Sequence, residues 1–249
     1  MNIIKLDAIN STNDYLKTLL QRQFVENFTI VSAENQTNGR GQMGSEWSVE
    51  QGKNLTFSVL VKDLLLEISH VFHLNVAVAV SVVEALSFLQ IKDLAIKWPN
   101  DIMAEGKKIG GILIENSIKS DGEIFSIVGI GLNVNQKNFE NLQKASSISI
   151  LKNQEFDKQE ILATILQNLG RNISLVMNKN TETIWEKYHS VLYKKNVPMP
   201  FENTHGQKFM GIIQNVNQEG KLLIKLEDES VKKFNIKQPG YAFYLFNKS

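Results

Sequence analysis

Apolar positions recur at helical spacing in some stretches of the chain and alternate with polar ones in others. Tyr15, Leu16, Leu19 and Leu20 follow Ser11-Thr12-Asn13-Asp14, with Ser11 placed as an N-cap and Asp14 three residues on, so a capped helix begins there. Phe28 to Glu34 and Leu55 to Val61 read as strands. Glu67 to Gln90 is apolar-rich and free of proline and glycine, which predicts a buried helix. A strand carrying Lys97 and Trp98 is stopped by Pro99. Lys107 to Glu115 and Glu123 to Asn135 flank Ser120-Asp121-Gly122 and predict a hairpin. From Asp157 to Met177 and from Thr181 to Lys194 the helical period returns. Val197-Pro198-Met199-Pro200 reads as a linker that divides residues 1–195 from residues 196–249. Beyond it Lys208 to Asn215, Lys221 to Leu226, Val231 to Ile236 and Tyr241 to Phe246 are short strands, separated by turns that include Gln218-Glu219-Gly220 and Gln238-Pro239-Gly240. These predict a small β-barrel of roughly 50 residues, which must lean on the main domain to be stable.

The 249 residues are 43% apolar, enough for a sizeable core. The longest apolar stretch, Val76 to Val83, is interrupted by Ser81 and is short for a membrane span, and Met1-Asn2-Ile3-Ile4-Lys5 lacks the apolar core of a signal peptide. A cytoplasmic protein with no membrane partner is the expectation. Absence of cysteine excludes disulfides, thiolate metal sites and a cysteine nucleophile. With a net charge of +1 and lysines mixed with carboxylates along the chain, there is no nucleic-acid footprint.

Three stretches carry candidate chemistry. Gly39-Arg40-Gly41-Gln42-Met43-Gly44 lies between two predicted strands. Glycines there can turn backbone N–H groups toward an anion, and arginine adds a forked cation. A turn without a ligand has the same spacing, and no helix pattern follows Gly44, so a dinucleotide fingerprint is excluded. Lys97-Trp98-Pro99-Asn100-Asp101 sets a cation, an amide and a carboxylate within five residues, a set suited to a nucleotide phosphate with Mg²⁺ or to a simple strand-turn. Gly110-Gly111 and Gly129-x-Gly131 inside the hairpin strands imply close approach by a ligand or another backbone, or bulges. Lys108 precedes the first pair. His70 and His73 fall three apart on the long helix, and without further ligands nearby they read as surface or packing residues.

Together these motifs resemble the biotin protein ligases: Ser11-Thr12-Asn13, then Gln36 ahead of Gly39-Arg40-Gly41, then Lys97 to Asp101, then Lys107 to Glu115, then Gly129 to Asn135, in the family's order. The resemblance covers essentially the whole chain. It implies an α+β fold, a mixed sheet backed by helices like that of class II aminoacyl-tRNA synthetases, followed by an SH3-like barrel. It also implies a monofunctional form, without the DNA-binding winged helix that some members carry. The implied enzyme is an ATP-dependent, AMP-forming biotin–[biotin carboxyl-carrier protein] ligase. Biotin's carboxylate attacks the α-phosphorus of ATP, and a lysine of a carrier domain from a biotin-dependent carboxylase then takes the biotinyl group. By the same resemblance Ser11, Thr12, Asn13, Gln36 and Gly111 face biotin, while Gly39, Arg40, Gly41 and Gln42 close over the carboxylate and α-phosphate. Lys108, Arg40 and Lys97 stabilise developing charge. Asn100 and Asp101 join Lys97 at the ATP phosphates, with Asp101 on Mg²⁺; Trp47 shields adenine and Asn133 contacts the nucleotide. Many members carry a basic residue at the positions of Gln42 and Ser45, where this chain has none. The competing readings are a lipoate or octanoate ligase or transferase of the same fold, and a non-catalytic biotin-sensing regulator. A homodimer is compatible with all of them.

Overall fold

The computed structural model describes residues 2–62, 71–118, 124–139, 142–202 and 206–236. Among the described residues seven strands form the main sheet: β1 (Ile3–Ile9), β2 (Ile30–Gln36), β3 (Leu55–Lys62), β4 (Ala95–Lys97), β5 (Asp101–Ala104), β6 (Lys107–Ile118) and β7 (Ile124–Leu132). Their spatial order is β1-β2-β3-β7-β6-β5-β4. Only β1 and β2 run parallel, joined through helix α1 (Thr12–Arg22), and the other neighbours are antiparallel. This is the mixed sheet the resemblance implies.

Alternation along the strands assigns the two faces of the sheet. Leu55, Phe57, Val59 and Val61 of β3, with Val128, Ile130 and Leu132 of β7, point into the large core. There they meet α2 (Phe72–Leu86), α4 (Lys158–Met177) and α5 (Glu182–Ser190). The intervening residues face the other way: Thr56, Ser58, Gly129, Gly131 and Gly111 are small or polar. Only at one end does α1 cover this second face, through Leu16 packed with Val31, Leu60 and Ile127. A sheet face of small residues covered at one end leaves an open cleft at the other.

Among the described residues, Phe72–Leu89 is long and apolar enough to cross a membrane, but 78% of it is buried inside the fold. It is the central core helix, and the apolar sequence reflects burial on every side. His73 accepts a hydrogen bond from Trp185 Nε1 at 3.1 Å in this core, which makes it a packing residue; His70 lies outside the described residues.

A second sheet, ordered β11-β10-β9-β8, contains β8 (Pro198–Glu202), β9 (Lys208–Val216), β10 (Leu222–Leu226) and β11 (Val231–Phe234). The stretch expected to be a linker is therefore largely strand. Among the described residues β8 is an edge strand, where the missing N–H donors of Pro198 and Pro200 break no ladder, and Met199 and Phe201, alternating with the prolines, are buried. The turn before β10 docks on the main core: Trp98 Nε1 donates to the Gly220 carbonyl at 2.9 Å, and Phe72 occupies the space a Cβ on Gly220 would need. Ser120-Asp121-Gly122, Gln238-Pro239-Gly240 and Tyr241 to Phe246 lie outside the described residues.

Candidate active site

Register across the main sheet builds the floor of the cleft. Thr56 pairs with Gly131, Gly131 with Gly111, Gly111 with Asp101, and Asp101 with Lys97. One row thus runs from a hydroxyl, over two glycines, to a carboxylate and a cation. The cleft above it has a volume of about 630 Å³, which suits a small-molecule site.

At one end stands the start of α1. Thr12 donates from its backbone N–H to Gln36 Oε1 at 2.7 Å, and its hydroxyl lies 3.0 Å from the same atom. Ser58 Oγ lies 2.7 Å from Thr12 Oγ1 and 2.5 Å from Asn13 Oδ1. Asn13 Nδ2 donates to Glu115 Oε2 at 2.7 Å. Asn13 sits so close to the sheet that a Cβ on Gly129 would meet its amide.

The glycine loop spans the mouth and is closed on itself. Gly41 N–H donates to the Ser45 carbonyl at 2.7 Å and Trp47 N–H to the Gly39 carbonyl at 2.9 Å. A Cβ on Gly39 would strike the Trp47 carbonyl, and one on Gly41 would strike Ser45. These glycines serve the loop's own closure, so the Gly41 N–H expected to face an anion is already spent. Charge comes from Arg40 instead. Its guanidinium pairs with Asp14 and lies 3.5 Å from Glu115. Trp47 covers the glycine floor, in contact with Gly131 and within 3.6 Å of a Cβ built on Gly111. The strand glycines expected to admit a ligand or backbone thus admit two side chains, Trp47 and Asn13, while Gly110 approaches the Gly131 carbonyl.

At the other end Lys108 Nζ meets Asp101 Oδ1 at 2.6 Å and lies 5.8 Å from the centre of the Trp47 ring. Burial pushes the Lys97 ammonium below its ordinary range; Asp101 opposes the shift, and the charges of Lys108 and Lys144 add to it. A bound anion would restore Lys97's affinity for its proton. The carbonyl and N–H of Lys108 are clamped by Ser146 N–H at 3.0 Å and the Lys144 carbonyl at 2.8 Å.

This geometry accompanies clear relatives. Residues 6–135 match the biotin/lipoate A/B protein ligase family. The bifunctional ligase/repressor BirA of Bacillus spizizenii is 31% identical over 240 residues, covering 93% of this chain and 71% of that protein. The chain belongs to this ligase family. A biotin–[acetyl-CoA-carboxylase] ligase of Mycobacterium tuberculosis is 27% identical over 81% of this chain and 75% of its own length. The solved biotin protein ligase of Aquifex aeolicus in complex with biotin and ATP superimposes with a TM-score of 0.80, at 27% identity over 98% of this chain and 99% of that one.

In this member of the ligase family, the residues singled out from sequence line the cleft with two exceptions. Gly39 is buried within the loop closure. Asn133 is buried with its Nδ2 donated to the Ser146 carbonyl at 3.1 Å, so it braces the segment that clamps Lys108. Asn100 does line the cleft, yet its Nδ2 is committed to the Ile112 carbonyl at 2.7 Å. Residues given no site role from sequence stand behind this lining: Ser58 and Glu115 hydrogen-bond Asn13, Asp14 pairs with Arg40, and Lys144 adds its charge near Lys97. A polar residue inside the apolar run of β3, and a glutamate in phase with Gly111 on β6, were the available signals.

Burial alone would raise the pKa of Glu115, but hydrogen bonds from Lys17 and Asn13 and the charges of Lys17 and Arg40 hold it below the ordinary carboxylate value. It is therefore an anion at neutral pH.

Proposed function

We infer that the chain is an ATP-dependent, AMP-forming biotin protein ligase, which makes biotinyl-5′-AMP and passes biotin to a lysine of a carboxyl carrier domain. The observation that carries this reading is the single glycine row joining a hydroxyl-and-amide pocket to the Lys97, Asp101 and Lys108 cluster. A neutral, hydrogen-bonding head group fits one end, and the reacting carboxylate and phosphates fit the other.

In the first step a biotin carboxylate oxygen forms a bond to the α-phosphorus of ATP, and the bond to pyrophosphate breaks. Negative charge on the α-phosphoryl oxygens is met by Lys108 and Arg40, and charge on the leaving phosphates by Lys97. In the second step the neutral amine of the acceptor lysine attacks the acyl carbon, AMP departs with its bonding electrons, and the amine loses a proton. Neither step needs a nucleophile from this chain; both need positioned cations and exclusion of water. Trp47, laid over the floor, supplies an apolar cover beside the nucleotide. Arg40 exchanges Asp14 for the ligand's anion when the loop closes over it.

Among the described residues there is no group of three or more ligating side chains that could cage a metal. Asp101 alone beside two lysines suits Mg²⁺, which takes one carboxylate and completes its shell with phosphate oxygens and water. Held by Asp101 and ATP, the ion would neutralise phosphate charge.

Labelled biotin incubated with this protein, ATP, Mg²⁺ and a purified biotin carboxyl carrier domain should give a covalently labelled carrier. Labelling by lipoate or octanoate in place of biotin would favour the sister chemistry of the family and overturn the substrate assignment.

A further inference from the structure

We propose that Glu115, which stands behind the head-group pocket, determines its specificity by fixing the hydrogen-bond polarity of the row Gln36, Thr12, Ser58 and Asn13. This rests on the biotin ligase reading above. Glu115 follows Gly111 at even spacing on β6 and so shares the cleft-side face of the sheet. Its carboxylate can only accept, and it takes Asn13 Nδ2 at 2.7 Å and Lys17 Nζ at 2.7 Å. The Asn13 amide therefore has one allowed sense, with Oδ1 turned toward Ser58.

Gln36 is fixed in the same way at the opposite end, because its Oε1 accepts the Thr12 backbone N–H. Between these two carbonyl oxygens stand the hydroxyls of Thr12 and Ser58. Successive oxygens are 3.0, 2.7 and 2.5 Å apart. Three oxygen–oxygen contacts share only two hydroxyl protons. The row is one proton short. A ligand whose ring carries N–H donors, such as a cyclic urea, supplies what is missing; an apolar dithiolane or alkyl chain cannot. Were Asn13 flipped, its Nδ2 would fill the deficit from within, but its Oδ1 would face the Glu115 anion. Glu115 thus keeps the pocket acceptor-rich. A site built to pair with a ligand's N–H discriminates far better than an apolar one, since an analogue without the donor leaves buried groups unpaired.

Replacing Glu115 by glutamine keeps shape but leaves one acceptor oxygen contested by Asn13, Lys17 and Arg40. The test is ATP–pyrophosphate exchange driven by biotin or by lipoate, on the full chain. Glu115→Gln should raise the biotin KM about tenfold, the equivalent of one hydrogen bond of about 1.4 kcal/mol. The ATP KM and the lipoate response should stay within about twofold, so discrimination falls by the same factor. In an Asn13→Ala background the Glu115→Gln change should cost nothing further, because Glu115 acts through Asn13. Lys17→Met, which leaves the Asn13 contact in place, should keep the biotin KM within about twofold. An unchanged biotin KM in Glu115→Gln, an undiminished cost in the Asn13→Ala background, or an equal loss in Lys17→Met would each overturn the proposal. No biotin-driven exchange in the unmodified protein would instead overturn the functional reading on which it rests.

Discussion

Lys108 is a cation already spoken for: Asp101 holds it at 2.6 Å, and its backbone is clamped on both sides by the 144–146 segment. A fixed charge of this kind costs no reorganisation when negative charge develops beside it, which is how such groups lower barriers. Lys108→Ala should therefore reduce adenylate formation on the order of 10² to 10³-fold while leaving biotin binding within roughly tenfold. Burst measurements of pyrophosphate release, with biotin binding measured separately by calorimetry, check both numbers. A variant that binds biotin poorly yet turns over normally at saturation would make Lys108 a binding residue. At this scale the sequence was informative where residues close in the chain stay together in space, as for Lys97 and Asp101; the family resemblance, not spacing, put Lys108 beside them. Glu115 and Ser58 were not legible as functional, because the sense of an amide and the sharing of hydroxyl protons exist only once distant strands are side by side.

Elements were legible where their pattern ran long. The capped α1, the core helix and the hairpin strands follow from periodicity. The five-residue helix α3 (Ile148–Lys152), capped by Ser147, is too short to show a period, and β8 was hidden by two prolines that only an edge strand tolerates. The glycines of β7 invited a ligand in the sequence reading, but the structure puts Trp47 against Gly131. Gly131→Ala would lift the indole from the floor without touching the large core. The ATP KM should rise on the order of tenfold or more, since small displacements of a positioned group are costly, with the melting temperature nearly unchanged. An unaltered KM would remove Trp47 from the nucleotide's surroundings.

Helix packing carries a second charge device. On α2, Glu84 accepts hydrogen bonds from Arg171, Asn172 and Lys187 of α4 and α5. Burial alone would raise its pKa from 4.5, but the hydrogen bonds from Lys187 and Asn172 and the charges of Lys187 and Arg171 hold it lower. A folded-state pKa below the unfolded one means the stabilisation is complete above about pH 4.5 and is lost as pH falls through the folded value. Glu84→Gln should cost about 1 to 2 kcal/mol at pH 7, toward the low end because Arg171 and Lys187 are half exposed. The gap between the two proteins in urea unfolding should close as pH drops below the carboxylate range. A gap that stays constant to pH 3 would contradict the ion-pair account.

For the whole molecule, the division of labour follows from one sheet with unlike faces. The apolar face is committed to α2, α4 and α5, so it cannot hold a ligand; the small-residue face is left open where α1 ends. The second sheet docks through Trp98 and Phe72 onto the wall that carries Lys97 and Asp101. Strand order and this docking could not be read from the sequence, because both depend on pairings between segments far apart in the chain. Their consequence is that pocket, loop and phosphate cluster form one cleft on one chain. Biotin-dependent exchange of labelled pyrophosphate into ATP, measured with no acceptor present, tests that consequence most directly. Exchange should require biotin and Mg²⁺ and proceed with no carrier domain present. Exchange that occurs only once an acceptor is supplied would contradict it.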